Sequence, residues 1–286
     1  NQHGVSGVLA GTVIAFLAFT GFESAALLAE ESRDPRRNAP RAITLAVIFI
    51  GFFFVLATYA GLAGFGFDAG KYLGDPNASP WFTLGSRAVG TAGKYLVELV
   101  VLNSLAANVA AGYTALARVT YAMGRAGALP AVFGQLSKRF RTPTLPIFAG
   151  AAISIGIASW SAYVYGAPSN SFYVIIAVAS YCVLAAYIGV SIAVPFFYRR
   201  ERPAEFNALR HVVIPVLAVL LLLAVLAAQI FTGERPHRFP GLLPQYLGAI
   251  FAGGWLLLGI IWLLVLRVRK PAALDAGERI YVEAPE

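Results

Sequence analysis

Thr20, Gly21 and Glu23 interrupt an otherwise apolar run from Val8 to Ala29. A carboxylate at membrane depth is costly and is by default a functional-site candidate, able to hold a cationic group or exchange a proton. Gly21 lets the backbone leave helical geometry without a Cβ penalty. Unpaired backbone groups survive in hydrocarbon only where protein or a cavity supplies partners. The pattern therefore predicts a helix broken over Phe19 to Glu23, with carbonyls facing a cavity. Two plainer readings compete: a protonated Glu23 bonded to a neighbouring helix, and a Gly21 that serves close helix packing. Asn108 is the other polar candidate. It lies on a seam formed by Ser104, Asn108, Ala111, Ala115 and Arg118, whose spacing lines one helix face. Its plainer reading is a helix–helix hydrogen bond. Ser180, Tyr187 and Ser191 form a weaker stripe that Leu184 interrupts.

The elements that must position these residues are apolar helices. The chain is 58% hydrophobic and 13% charged, against about 25% charged in a soluble domain, and its mean hydropathy is +0.71. Seven runs are long enough to cross about 30 Å of hydrocarbon: Val8 to Ala29, Ala42 to Gly64, Leu96 to Met123, Leu145 to Tyr165, Phe172 to Tyr198, Val212 to Ile230 and Tyr246 to Val268. Pro35 and Pro40 predict a turn before the second run, and Trp81 to Val89 a short interfacial helix within the longest connection. A short helix is also expected between Arg125 and Pro143. The last two runs carry almost nothing polar at mid-depth and are expected to be peripheral.

The net charge of +8 reports topology rather than nucleic-acid binding, because the basic residues gather at alternate loops. Seventeen lie on one side, in clusters around Arg33 to Arg41, Arg118 to Arg141, Arg199 to Arg210 and Arg267 to Arg279; five lie on the other. The positive-inside rule then places the N-terminus outside and the C-terminus in the cytoplasm. Arg118 is expected to snorkel to the interface. Glu30 and Glu31 with Arg33 to Arg41 read as a solvated loop, or alternatively as an ionic latch. The single cysteine, Cys182, excludes an internal disulfide and a thiolate metal cluster.

Two motifs carry a resemblance to a known family. Phe16 to Glu23, followed by Glu30-Glu31 and by Asp34-Pro35-Arg36-Arg37-Asn38-Ala39-Pro40-Arg41-Ala42-Ile43, resembles the sixth span and following loop of the amino acid-polyamine-organocation (APC) permeases. Arg118 to Pro130 is similar to the end of that family's eighth span. The resemblance implies an all-α transmembrane fold of seven helices: the second five-helix inverted repeat of a LeuT-type fold plus two further, peripheral helices. It implies a second repeat over residues 1–198, two additional helices over 199–268 and a cytoplasmic tail over 269–286. It also implies that the chain is the C-terminal part of a longer protein and lacks the N-terminal repeat that completes the substrate cradle.

By the same resemblance, Phe19, Thr20, Gly21, Phe22 and Glu23 bind the substrate, and Asn108 is added to these from the seam on its own helix. Glu23 is the proton-coupling candidate, and Leu17 stands where some relatives carry a tryptophan gate. The expected function is secondary active transport of an amino acid or related amine, with proton coupling, by alternating access in a cell membrane. No cofactor and no nucleic acid is expected. The competing class is a seven-span receptor or rhodopsin-like protein, but Lys71, Lys94, Lys138 and Lys270 all fall in loops or at a helix end, away from a mid-membrane Schiff base. A membrane-embedded enzyme is disfavoured because His3, His211 and His237 lie at or outside the run boundaries and no nucleophile–base spacing occurs.

Overall fold

The computed structural model describes residues 4–27, 32, 34–73, 79–166, 168–231 and 244–271. The regular structure among them is helical: α1 (Gly4–Phe19), α2 (Ser24–Leu27), α3 (Pro35–Gly64), α4 (Ala69–Leu73), α5 (Pro80–Val89), α6 (Thr91–Arg125), α7 (Thr144–Tyr165), α8 (Pro168–Glu201), α9 (Ile214–Phe231) and α10 (Pro244–Arg269). Short 3₁₀ turns occur at Ala131–Gly134 and Pro203–Glu205, and one π turn, Leu209–Val213, leads into α9. Glu30, Glu31, Arg33, His3, Arg235, Arg238, His237 and the tail beyond residue 271 lie outside the described residues, and so does the ionic latch read from the first of these.

Six of these segments are long and apolar enough to cross a membrane: Arg37–Gly64, Thr91–Arg125, Thr144–Tyr165, Ser171–Glu201, Leu209–Phe231 and Tyr246–Arg269. The first expected run is different, since it is not a continuous helix. α1 has 16 residues, about 24 Å at 1.5 Å per residue, and the backbone turns through Thr20–Glu23 before α2 begins. The expected turn between Pro35 and Pro40 is also replaced, because helix α3 starts at Pro35 and continues through Pro40. A proline at the first helical position removes only an N–H that would have no helical partner. Pro40 sits near enough to that end to forfeit a single ladder bond.

The described chain divides into two compact units. In the first, made of residues 1–20, 126–128 and 151–286, α8 packs against both α9 and α10, and α1 packs against α9. Leu184 is 1% exposed at the centre, with Val174, Ala177, Ala228, Ala252 and Leu266 also buried. Gly248 sets the approach of α10 to α8: a Cβ there would lie 2.8 Å from the carbonyl carbon of Ala177. The indole N–H of Trp262 donates to the Ala128 carbonyl at 2.9 Å. α9 and α10 therefore pack on α8 and contribute Ala228, Ala252 and Leu266 to the buried centre of this unit.

In the second unit, residues 21–125 and 129–150, α5 lies along α6 and also touches α3. α3 ends in a Schellman motif in which Gly66, at φ 66°, and Phe67 donate to the Ala63 and Leu62 carbonyls at 3.0 and 2.8 Å. Arg87 of α5 reaches back to donate to the Gly64 carbonyl at 3.1 Å, with its guanidinium 4.8 Å from the Phe65 ring centre. A cation at a helix C-terminus is favoured by the helix dipole. α5 and α6 cross at Gly85 and Gly93, where a Cβ on Gly85 would stand 2.7 Å from the Gly93 carbonyl oxygen. Gly124, in the second family-like motif, is buried where the backbone of Phe133 and Gly134 returns across α6.

Candidate functional site

Gly21 makes the interruption between α1 and α2 possible. Its φ of 110° lies in a region that L side chains rarely adopt, so any other residue at this position would be strained. On the α1 side, Thr20 closes the helix twice: its N–H donates to the Leu17 carbonyl at 3.1 Å and its hydroxyl to the same carbonyl at 2.7 Å. On the α2 side, the Gly21 N–H donates to Glu23 Oε2 at 2.8 Å. The carboxylate thus folds back onto its own turn and satisfies a donor that the broken ladder leaves over. A carboxylate at a helix N-terminus, here just ahead of Ser24, is also the sign the helix dipole favours.

The turn's carbonyls are partly engaged. Gly21 O accepts the Ser24 N–H at 3.1 Å and Glu23 O accepts the Ala26 N–H at 2.8 Å. A carbonyl has two lone pairs, so the Gly21 carbonyl keeps capacity for a further donor. Phe19, Thr20, Phe22 and Glu23 are half-buried and Gly21 is exposed. The turn therefore brings Gly21 and Glu23 together directly, with Thr20 anchored to Leu17 beside them.

Asn108 is placed differently. Its Nδ2 donates to the Ser104 carbonyl one turn back on α6, at 3.0 Å, and the residue is exposed. The small and polar seam of α6 is open as well: Ser104, Asn108 and Ala111 are exposed, whereas Ala115 and Arg118 are half-buried. Ser180 and Leu184, from the weaker stripe of α8, face the core of their unit instead. Tyr187 meets Phe16 of α1 edge-on with centroids 5.9 Å apart, one turn before the interruption.

The sequence reading missed Gln229. Its side chain is 6% exposed and Ser180 is fully buried. The Ser180 hydroxyl donates to Gln229 Oε1 at 2.8 Å, and Gln229 Nε2 contacts the Ala177 carbonyl at 3.5 Å. The signal was an amide inside the apolar run that ends at Ile230. Its partner, 49 residues earlier, could not be read from spacing.

A succession of apolar helices of this length, one of them broken beside a carboxylate, makes the chain a multi-pass membrane protein. The chain belongs to the amino acid permease family, whose model matches residues 1–263, within the APC superfamily that the two motifs resemble. It is similar to the low-affinity putrescine importer PlaP of Escherichia coli (strain K12), 32% identical over 160 residues that cover 54% of this chain and 34% of the relative. It is also similar to the D-serine/D-alanine/glycine transporter of the same strain, 32% identical over 136 residues, covering 48% of this chain and 28% of the relative. The vacuolar cationic amino acid transporter 2 of Arabidopsis thaliana is 31% identical over 142 residues, covering 49% of this chain and 21% of the relative. The matched part spans about a third or less of those relatives' own lengths. No solved structure matches the chain. Membership of a permease family sets aside the receptor and enzyme readings.

Proposed function

We propose that this chain is part of a secondary active transporter that moves an amino acid or related amine by alternating access, with protons as the coupling ion. Residues 1–198 act as one of two five-helix repeats, residues 199–268 as two additional helices, and the C-terminal tail lies in the cytoplasm. The substrate's amino group meets the turn at Phe19 to Glu23, and Asn108 contributes from α6. The observation that carries this reading is the helix interruption at Thr20–Glu23, with Gly21 at φ 110° and its N–H bound to the Glu23 carboxylate, in a chain of the amino acid permease family. Broken apolar helices whose ends point at a polar ligand are a recurrent way to build a transport site at the membrane midplane. The relatives named as a putrescine importer and as amino acid transporters support an amine-bearing substrate.

Glu23→Gln tests the coupling. The amide keeps size and hydrogen-bonding capacity but cannot ionise, so uptake by the complete transporter falls and its dependence on external pH flattens at matched surface expression. If uptake–pH curves of the two forms superimpose in shape and height, Glu23 is a structural hydrogen-bonding residue and the proton takes another route.

A further inference from the structure

The connection between α8 and α9 is organised around one histidine. The backbone N–H of Asn207 points at His211 Nδ1 at 2.9 Å, and the imidazole lies flat on the Tyr198 ring, with centroids 3.6 Å apart and planes 5° from parallel. Phe206 closes a second side of the ring at 6.0 Å. Asn207 is itself the organiser of the following turn: its Oδ1 accepts the N–H groups of Leu209 and Arg210 at 3.0 and 3.2 Å, and its carbonyl accepts the His211 N–H at 2.8 Å. His211 and Asn207 are therefore joined in both directions, at the entrance to the π turn Leu209–Val213. Such turns are uncommon and recur at functional positions.

We propose that His211 is a proton-sensitive latch on the α8–α9 connection, closed while its Nδ1 carries a lone pair and opened when that nitrogen is protonated. The chemistry follows from the donor. A backbone N–H can only donate, so Nδ1 must accept, which requires the neutral ring protonated at Nε2. Protonation puts an N–H against an N–H at 2.9 Å, and rotating the ring by half a turn brings a carbon, not an acceptor, to that place.

Charged groups also lie on the elements packed against His211. The end of α8 carries Arg199, Arg200 and Glu201, the 3₁₀ turn carries Arg202 and Glu205, and the π turn carries Arg210. Glu201 is drawn to Arg200 at 3.2 Å and Glu205 to Arg202 at 2.8 Å. Arg199 sits over Phe206 at 5.3 Å. Four cations and two anions thus stand on these elements. The Tyr198 face can hold the charged ring, since an aromatic face accepts a cation. The ring can thus stay stacked while the hydrogen bond to Asn207 fails, which frees the connection rather than unfolding the helices.

The test is amide hydrogen exchange of Asn207, corrected for intrinsic rates, on the whole chain in nanodiscs. Between about pH 8 and about pH 5, where histidine changes charge, wild-type protection should fall about five- to tenfold, the worth of one ordinary hydrogen bond. His211→Phe keeps the stack and removes the acceptor, so its protection should be low at both pH values. Nitrogen-15 spectra of the imidazoles should show His211 as the Nε2–H tautomer at the higher pH. Unchanged wild-type protection across this range, a His211→Phe form as protected as wild type at the higher pH, or an Nδ1–H tautomer would each overturn the latch.

Discussion

α8, α9 and α10 meet mainly around buried side chains, with Leu184 sealed at 1% exposure and the Ser180–Gln229 pair buried beside it, and with one close glycine approach, that of Gly248 to Ala177. α3, α5 and α6 meet in another way, through glycine. At Gly85 and Gly93 two backbones touch, at Gly64 the Leu84 side chain fills the place of a Cβ, and at Gly61 of α3 the Tyr72 ring of the short neighbouring α4 does so. The most apolar stretches of α3 and α6 bury none of their residues within the chain, whereas 22% of the corresponding stretch of α8 is buried. The first arrangement gains cohesion from dispersion and filled volume. The second gains it from close backbone approach, which suits helices whose remaining surface is left to lipid or to other helices.

The largest effect should come from emptying the side-chain core. Leu184→Ala is expected to cost about 2–5 kcal/mol, read as loss of helical signal on heating in detergent, and a cost below that of truncating an exposed leucine such as Leu221 would break the contrast. Gly93→Ala comes next. A methyl group there is driven into the Gly85 carbonyl, and the helices must separate at a cost of about 1–3 kcal/mol. The matching control is Gly112→Ala on the same helix, where a Cβ meets nothing within 4 Å; equal costs at both sites would show that backbone approach is not what holds α5 to α6.

Gln229→Leu sharpens the first half of the comparison. Interhelical hydrogen bonds in membranes average about 0.6 kcal/mol, and the Ser180 hydroxyl left behind can turn to a carbonyl of its own helix. The expected loss is therefore smaller than for Leu184→Ala, and a larger one would make the polar pair, not the leucine, the centre of that core. The smallest effect belongs to Asp68, between α3 and α4. The Lys71 N–H bonded to its carboxylate at 3.1 Å holds this group below the ordinary aspartate value of 3.8. The contribution is therefore complete above about pH 4 and is lost as the pH falls through the lowered value. Protection of the Lys71 amide, corrected for intrinsic exchange rates and followed downward from neutral pH, should begin to fall only below that ordinary value. Asp68→Asn should remove the dependence.

Much of the membrane architecture was legible because hydropathy is a local property: the six long helices fall on six of the apolar runs, and α5 on the segment from Trp81 to Val89. Gly21 beside Glu23 marked the interruption for a similar reason, since a carboxylate in an apolar run is costly whatever surrounds it and glycine frees the backbone locally. Pro40 misled because proline reads as a helix breaker, yet its cost depends on distance from a helix start that Pro35 had already set. Leu184 was read as a flaw in a polar stripe, whereas it is the centre of a core.

By itself the sequence determined that this chain crosses the membrane repeatedly, where its helices run, and which residues could break one of them. The partnering of Ser180 with Gln229, of Gly85 with Gly93 and of His211 with Asn207 and Tyr198 was decided only in three dimensions. Hydrophobicity and turn chemistry act over a few residues and can be summed along the chain. A contact between helices depends on which faces meet, and similarly apolar faces of a membrane helix are told apart by shape and a few polar atoms, not by composition.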